Sequence, residues 1–439
     1  MKVLLVVHGF LPIARAGTEI YTYHLACELQ RGGVSVELFF GEKGDALSAE
    51  RRQYENLACT VIRKPVKHFV NLFGEEDPWV DREFLKCLER FQPDVLHINH
   101  LLHLSTNIPK ITKQHNIPVI FTLHDFWLRC PRYTCLDKNE HLCKATNTIK
   151  CVLCCRELYS RYQLYHPRPG IRGILDRTKS IVKMCLSIGL EGYAAYRRMN
   201  LRERTMRSLA HDIDLWISPS KFLQEFMVAW GLPPEKGTFL PNGIPAKSFG
   251  EVREPRGKRP LQFAFIGGLT RQKGIHVLLE AFKGMGGASL VIYGPGNIHS
   301  YDDFKHVAAQ GNVTYKGIMT EKEKPRILRM IDGLIVPSIW YENAPLVIQE
   351  AFIAGVPVIC SNIGGMKEFV RNGQDGLHFK VGNSGDLREV LEKCVQNPSY
   401  LRGMRPLPRN FLSVEEHVSR LIPLYRRCVE SKGHGKCLE

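Results

Sequence analysis

At 439 residues the chain is longer than one hydrophobic core supports, about 250–300 residues, so two or three domains are expected. The 44% apolar and 24% charged composition excludes disorder as the main state, and no apolar run reaches the roughly 18 residues that a membrane span needs. Lys and Arg outnumber Asp and Glu by 60 to 44, which calls for an anionic partner or surface, and fourteen cysteines in a chain read as cytoplasmic point to thiols or metal ligands rather than a disulfide framework.

The first apolar run, Val3–Val7, is short, lacks a small-residue cleavage site and ends at His8 and Gly9; it reads as a buried strand rather than a secretory signal, hence the cytoplasmic expectation. A helical segment, Thr18–Gln30, follows, and then continuous apolar runs at Val34–Phe40, Val95–Ile98, Val119–Leu123 and Leu215–Ile217. After a Pro-, Gly- and charge-rich stretch, 241–260, the pattern restarts with Phe263–Ile266, Leu290–Tyr293, Val313–Tyr315, Leu334–Val336 and Val356–Cys360. Continuous rather than alternating apolar strands, separated by helical segments, indicate parallel sheets buried on both faces. The expected fold class is α/β: two doubly wound, parallel-sheet Rossmann-like domains, residues 1–245 and 246–405, with a C-terminal helix and tail, 406–439, whose helical Val414–Arg427 suits either domain. Ligands of such sheets bind beyond the carboxyl ends of the strands, and the cleft between the domains is the expected shared site.

Two unusual segments interrupt the first half. Residues 130–155 hold six cysteines, with Cys130-x12-Cys143-x7-Cys151-x2-Cys154 as the best ligand set and Cys135 and Cys155 as substitutes. That spacing suits tetrahedral thiolate coordination, by a structural zinc most simply or by an iron–sulfur cluster; unpaired loop thiols are the alternative. The basic helical segment, 156–211, follows. Between Lys144 and His211 there are fourteen Lys and Arg against four acids, and Ile171, Ile174, Leu175, Ile181, Val182, Leu186 and Leu190 interleave with Arg172, Arg177, Lys179 and Lys183. Amphipathic helices with a basic face fit this, either solvated or lying on an anionic membrane surface; no nucleic-acid motif accompanies the charge, so nucleic acid is not an expected partner.

The second half carries the sharpest chemistry. Phe263–Gly274 reads as strand, glycine pair, two cations and a glycine that opens the helix Ile275–Phe282. Gly267 and Gly268 permit close backbone approach, while Arg271, Lys273 and the helix start add positive charge: an anion cradle suited to a diphosphate, though an ordinary strand–turn–helix reads the same. Farther on, Glu342 lies in the loop after Leu334–Val336, Pro345 near the first helical turn and Glu350 in the second. Two carboxylates so placed can hold two ends of one polyhydroxylated ligand; a capping Glu342 and a solvated Glu350 are the plainer alternative.

With the "AGVPVI" run of Ala354–Ile359, Gly364-Gly365, the "PNGI" of Pro241–Ile244, the "SPS" of Ser218–Ser220, the "KGIHVLLEAF" of Lys273–Phe282 and the "TLHD" of Thr122–Asp125, the Glu342-x7-Glu350 pair resembles the retaining family 4 glycosyltransferases of the GT-B fold. The resemblance implies that Glu350 holds the donor's ribose, that Glu342 contacts the transferred sugar and stabilises charge at its anomeric carbon, and that amides around Asn343, Ala344, Pro345 and Leu346 meet the phosphates. Lys273 matches the family's diphosphate lysine. The family's usual Arg after the first glycine is replaced by Gly268, so that either Arg271 supplies the charge or the clamp is weaker. His124 corresponds to an active-site histidine contacting the donor sugar, Gly17 to the second glycine of a phosphate or acceptor loop, and His97, Asn99 and His100 end a strand where an acceptor pocket belongs.

The implied reaction is sugar transfer from a nucleotide-diphosphate donor to a saccharide acceptor. The leaving diphosphate oxygen itself deprotonates the acceptor, and no catalytic metal is required. The basic segment adds the expectation of a lipid-linked or cell-envelope acceptor met at the inner membrane face. A noncatalytic, membrane-attached saccharide- or nucleotide-binding protein is the alternative.

Overall fold

The computed structural model describes residues 1–66, 73–143, 148–155, 181–249, 260–406 and 411–433, with side chains between 181 and 191 left aside. The chain forms two compact units: residues 1–218 with 227–238 and 418–439, and residues 219–226 with 239–417. The terminal helix, Val414–Gly433, therefore gives its residues from Val418 onward to the first unit. No helix among the described residues is long and apolar enough to cross a membrane.

The first unit is built on β1 (Lys2–Val7), β2 (Ser35–Lys43), β3 (Ser48–Tyr54), β4 (Leu57–Lys64), β5 (Val95–Ile98), β6 (Val119–Thr122), β7 (Leu215–Ser218) and β8 (Gly237–Phe239), in the order β3-β4-β2-β1-β5-β6-β7-β8. β1 pairs in parallel with β2 and with β5, Val6 facing Phe39 on one side and Ile98 on the other. Burial of Val3–Val7 on both faces explains why this strand is continuously apolar. The β3–β4 hairpin is antiparallel and escaped the sequence reading, because β3, Ser-Ala-Glu-Arg-Arg-Gln-Tyr, is a polar and largely exposed edge strand.

The second unit includes the short β9 (Gly243–Ile244), inside the Pro-, Gly- and charge-rich stretch 241–260. Its main sheet contains β10 (Leu261–Ile266), β11 (Ala288–Tyr293), β12 (Val313–Tyr315), β13 (Gly333–Val336), β14 (Val358–Ser361) and β15 (Gly376–Phe379), in the order β12-β11-β10-β13-β14-β15. All its pairings are parallel. β16 (Leu412–Ser413) pairs with β9. Both sheets turn back on themselves beside their first strand, between β1 and β5 and between β10 and β13. At such a switch point the flanking loops diverge and leave a crevice at the carboxyl ends. Every expected strand occurs, within a few residues of its expected ends. Two Rossmann-like α/β domains are the outcome.

The expected four-thiolate centre does not form. Among the described residues no three or more Cys, His, Asp or Glu converge as metal ligands, so the assignment of Cys130, Cys143, Cys151 and Cys154 to zinc or an iron–sulfur cluster is corrected. All six are thiols outside any disulfide, the Cys135 thiol donating to Cys130 and the Cys155 thiol to Cys154. Cys143 is tied through its N–H to the Cys135 carbonyl, 2.8 Å, while Cys155 is buried with Phe73, Ala194 and Met199, and Cys151 and Cys154 pack against that group. In the basic segment, residues 156–180 lie outside the described residues, and the helix Ile181–Asp212 ends it.

Candidate active site

In the second unit the loops leaving β10 and β13 meet at the switch point. The β10 loop ends in a short turn, Arg271–Lys273, and Gly274 adopts φ 75°, where a side chain's Cβ would lie 1.8 Å from the Pro337 carbonyl oxygen. Only glycine lets the two backbones touch there. The Ile339 N–H donates to the Gln272 carbonyl at 3.0 Å and locks the loops together. On the other side of the β13 loop the Gly365 N–H donates to the Glu342 carbonyl at 2.8 Å, and a Cβ at Gly365 would come within 1.6 Å of the Asn343 carbonyl oxygen. Glycines on both sides thus hold the Pro337–Asn343 loop.

This clamp sets the side chains. Lys273 Nζ donates to Glu342 Oε1 at 2.7 Å, Ser338 Oγ to the same atom at 2.7 Å and Trp340 Nε1 at 2.8 Å. The ammonium also lies 5.4 Å from the Trp340 ring centroid. Glu342 is buried, whereas Lys273 keeps about a third of its side-chain surface exposed. All three donors use Oε1, so Oε2 is left to accept from a ligand. The Asn343 side chain is fixed by Ser220 Oγ at 2.5 Å. The helix Leu346–Ile353 starts after Pro345, and Glu350 occupies its second turn, as the spacing predicted. Glu350 is buried rather than solvated and accepts from Lys324 Nζ at 2.9 Å. Burial raises its pKa against the pull of Lys324. Arg271 is exposed beside Lys273, and a Cβ at Gly267 or Gly268, after β10, would meet nothing closer than 3.5 Å. The sequence assigned no role to Ser338, Trp340 or Lys324. The first two sit within four residues of Glu342, a readable signal; Lys324, in a run of charges, carried none.

The first unit gathers a second group of side chains at the carboxyl ends of β1, β5 and β6. His100 Nδ1 accepts from the Leu102 N–H at 2.9 Å, so Nε2 carries the proton shared with Asp125 Oδ2 at 3.2 Å. Burial works against the Asp125 charge, but His100 holds its pKa below the ordinary value. His8 pairs with the buried Glu19 at 3.1 Å, and its ring lies tilted against that of His100, centroids 4.7 Å apart. Glu19 in turn accepts from the Ala16 N–H at 3.0 Å, fixing the start of the Gly17–Arg31 helix. His124 rests against the Tyr21 ring at 4.9 Å, and burial pushes its pKa down to about 3, which leaves it neutral. Asn99 is fully buried, and neither atom of its side-chain amide has a hydrogen-bond partner among the described residues. His97 differs from expectation: it is fully buried, with Nδ1 2.6 Å from the Tyr425 hydroxyl and Nε2 2.7 Å from Thr122 Oγ1, an internal tie to the terminal helix rather than a lining residue.

Residues 15–157 match the family described as Glycosyltransferase Family 4, and residues 250–408 match Glycosyl transferases group 1. The chain is a family 4 glycosyltransferase. A glycogen synthase of Mycobacterium tuberculosis is 29% identical over 169 residues, 37% of this chain and 40% of that protein. The amylovoran biosynthesis glycosyltransferase AmsK of Erwinia amylovora is 26% identical over 196 residues, 42% of this chain and 48% of its own. The matches therefore span less than half of either relative. The Anabaena protein HepE, solved in complex with UDP-glucose, is 14% identical and superposes with a TM-score of 0.62 over 99% of this chain and 100% of its own, a likeness of fold. The GT-B fold, twin Rossmann-like domains, is thereby established for this glycosyltransferase.

Proposed function

We propose that this glycosyltransferase moves a hexose, with retention of anomeric configuration, from a nucleotide-diphosphate sugar to a saccharide acceptor. The observation that carries the reading is the convergence of Lys273, Ser338 and Trp340 on one oxygen of Glu342, in the unit that also buries Glu350. A partly exposed ammonium beside a preoriented carboxylate suits a reaction in which diphosphate departs as the anomeric carbon becomes cationic. Lys273 turns to the departing charge, Arg271 adds to it, and Glu342 keeps Ser338 and Trp340 as anchors while Oε2 faces the sugar. Glu350 takes the ribose hydroxyls, and the amides of Asn343, Ala344 and Leu346, after Pro345, take the phosphates. Gly17 and Gly268 leave room for backbone approach.

In the first unit His100 and Asn99 suit acceptor hydroxyls, and neutral His124 suits a hydroxyl contact without adding charge. The acceptor we propose is a lipid-linked saccharide or a cell-envelope glycan precursor at the cytoplasmic membrane face. Supporting this, the helix Ile181–Asp212 exposes Tyr193, Tyr196 and Leu201 along one face with Arg197 and Arg204, and the helix Thr148–Cys154 exposes Ile149 and Leu153. Aromatic, apolar and guanidinium groups together fit an anionic headgroup layer.

A thermal-shift panel of UDP-, GDP- and ADP-sugars tests the donor, since a bound donor raises the apparent melting temperature. Stabilisation by one base class is expected, together with release of the matching nucleoside diphosphate when acceptor is added; no shift with any donor refutes the reading. Sedimentation with phosphatidylglycerol vesicles at low salt tests the membrane part, and failure to co-sediment removes it.

A further inference from the structure

Lys324 has no local reason to be where it is. It opens the helix Lys324–Arg329, where the helix dipole disfavours a cation, and it comes from a run of charges, Glu321-Lys322-Glu323-Lys324, in which its three neighbours are exposed. Yet it is 7% exposed, and its ammonium is shared between Glu350 Oε1 at 2.9 Å and Glu321 Oε2 at 2.7 Å. Glu350, 26 positions later in sequence, is 3% exposed.

We infer that Lys324 is a positioning residue for donor binding: it keeps the Glu350 carboxylate ionised and turned so that the free oxygen meets the ribose diol. This rests on the assignment of Glu350 to the donor. A carboxylate buried this deeply and without a cation takes up a proton, and a protonated acid is a poor acceptor for two vicinal hydroxyls. Lys324 engages Oε1 only, and Oε2 accepts no hydrogen bond from the described residues. The charges acting on Glu350 are Lys324, which favours ionisation, and Glu321, which opposes it. The other elements packed on its helix offer no substitute. β13 and β9 present uncharged residues, and on β14 the Cys360 thiol is held neutral by burial. In the helix Gly364–Phe369, Lys367 is exposed, and Glu368 accepts from the Lys221 and Phe222 N–H groups. In the turn Ala246–Phe249, Lys247 pairs with Glu415.

The test is calorimetric binding of UDP-glucose, GDP-mannose and ADP-glucose to the full chain and its variants, from about pH 6.5 to about pH 9. For whichever the wild type binds, its affinity should vary less than about threefold across that range, while Lys324→Met binds about tenfold or more weakly at the acid end and recovers toward wild type at the alkaline end. Lys324→Arg should stay within about threefold of wild type. Wild-type affinity of Lys324→Met at low pH overturns the inference, as does weakening of equal size at every pH, which would mark a packing role. If Lys324→Met does not fold, Lys324→Gln carries the same series. Glu350→Gln separates the two ideas: undiminished binding by it refutes the ribose assignment and with it the role of Lys324, whereas weak binding by Glu350→Gln beside normal binding by Lys324→Met refutes only the latter. Binding of none of the three donors by wild type overturns both.

Discussion

Lys273 donates to Glu342 Oε1 at 2.7 Å from 69 positions away in sequence, and it is the only one of the three donors to that oxygen with a full charge. Ser338 and Trp340 hold the carboxylate whether or not Lys273 stays. The cation can therefore transfer to a departing diphosphate while Glu342 keeps its orientation.

Lys273→Ala should consequently reduce transfer at least about tenfold, a loss of about 1.4 kcal/mol in transition-state stabilisation, with an unchanged circular dichroism spectrum. Steady-state kinetics with the donor found by thermal shift reads this directly. Near-wild-type turnover would remove the diphosphate role.

Gly365→Ala should destabilise the second unit by about 2–4 kcal/mol, because its Cβ would sit 1.6 Å from the Asn343 carbonyl oxygen and the loop must move. Denaturant unfolding measures the stability loss, and donor affinity should fall in parallel as Glu342 shifts. By contrast Gly286→Ala, with open space around it, should leave donor affinity unchanged.

Acid should weaken the fold before the carboxylates titrate. Burial pushes His417 down to about 4 and His124 down to about 3, and the His417 ring is further fixed by the Pro241 carbonyl at 2.7 Å from Nδ1. These folded-state values lie below the unfolded value of about 6.5, so between them the unfolded chain binds more protons and stability falls as pH drops. Each buried imidazole contributes up to about 1.4 kcal/mol per pH unit in that window. Urea unfolding at neutral pH and near pH 5.5 should show the difference, and His417→Gln should reduce the slope.

Among the clustered thiols, Cys130 should react ahead of Cys143. The Cys135 thiol donates to it and holds its pKa down to about 6 despite burial, while Cys143, with no such donor, is pushed up by burial to about 11. Brief iodoacetamide treatment at neutral pH followed by peptide mass spectrometry should find Cys130 alkylated well ahead of Cys143. Cys135→Ala should slow Cys130 labelling.

Much of the site was legible because its parts are locally encoded. Gly267-Gly268, the Lys273-Gly274 turn and the Glu342-to-Glu350 spacing each follow an apolar strand, and that strand's end puts them at the rim of a parallel sheet. His97 misled for the same reason: a strand-end position does not say whether a side chain lines a surface or ties a helix beneath it. The cysteine spacing misled because thiolate coordination needs four side chains to converge, and spacing constrains only the distances along the chain.

What the sequence settled alone was the α/β class, the twofold repetition and the chemical character of the second half, since hydrophobic period and strand ends depend on neighbours a few residues apart. Tertiary structure decided the pairings. β10 lies beside β13 rather than another strand, and that adjacency brings Lys273 to Glu342. The Glu350 helix packs where Lys324 turns inward, so a member of a charged run becomes a buried counterion. These relationships depend on which distant segments share the interior, where a charge without a partner is costly, and no local pattern carries that information.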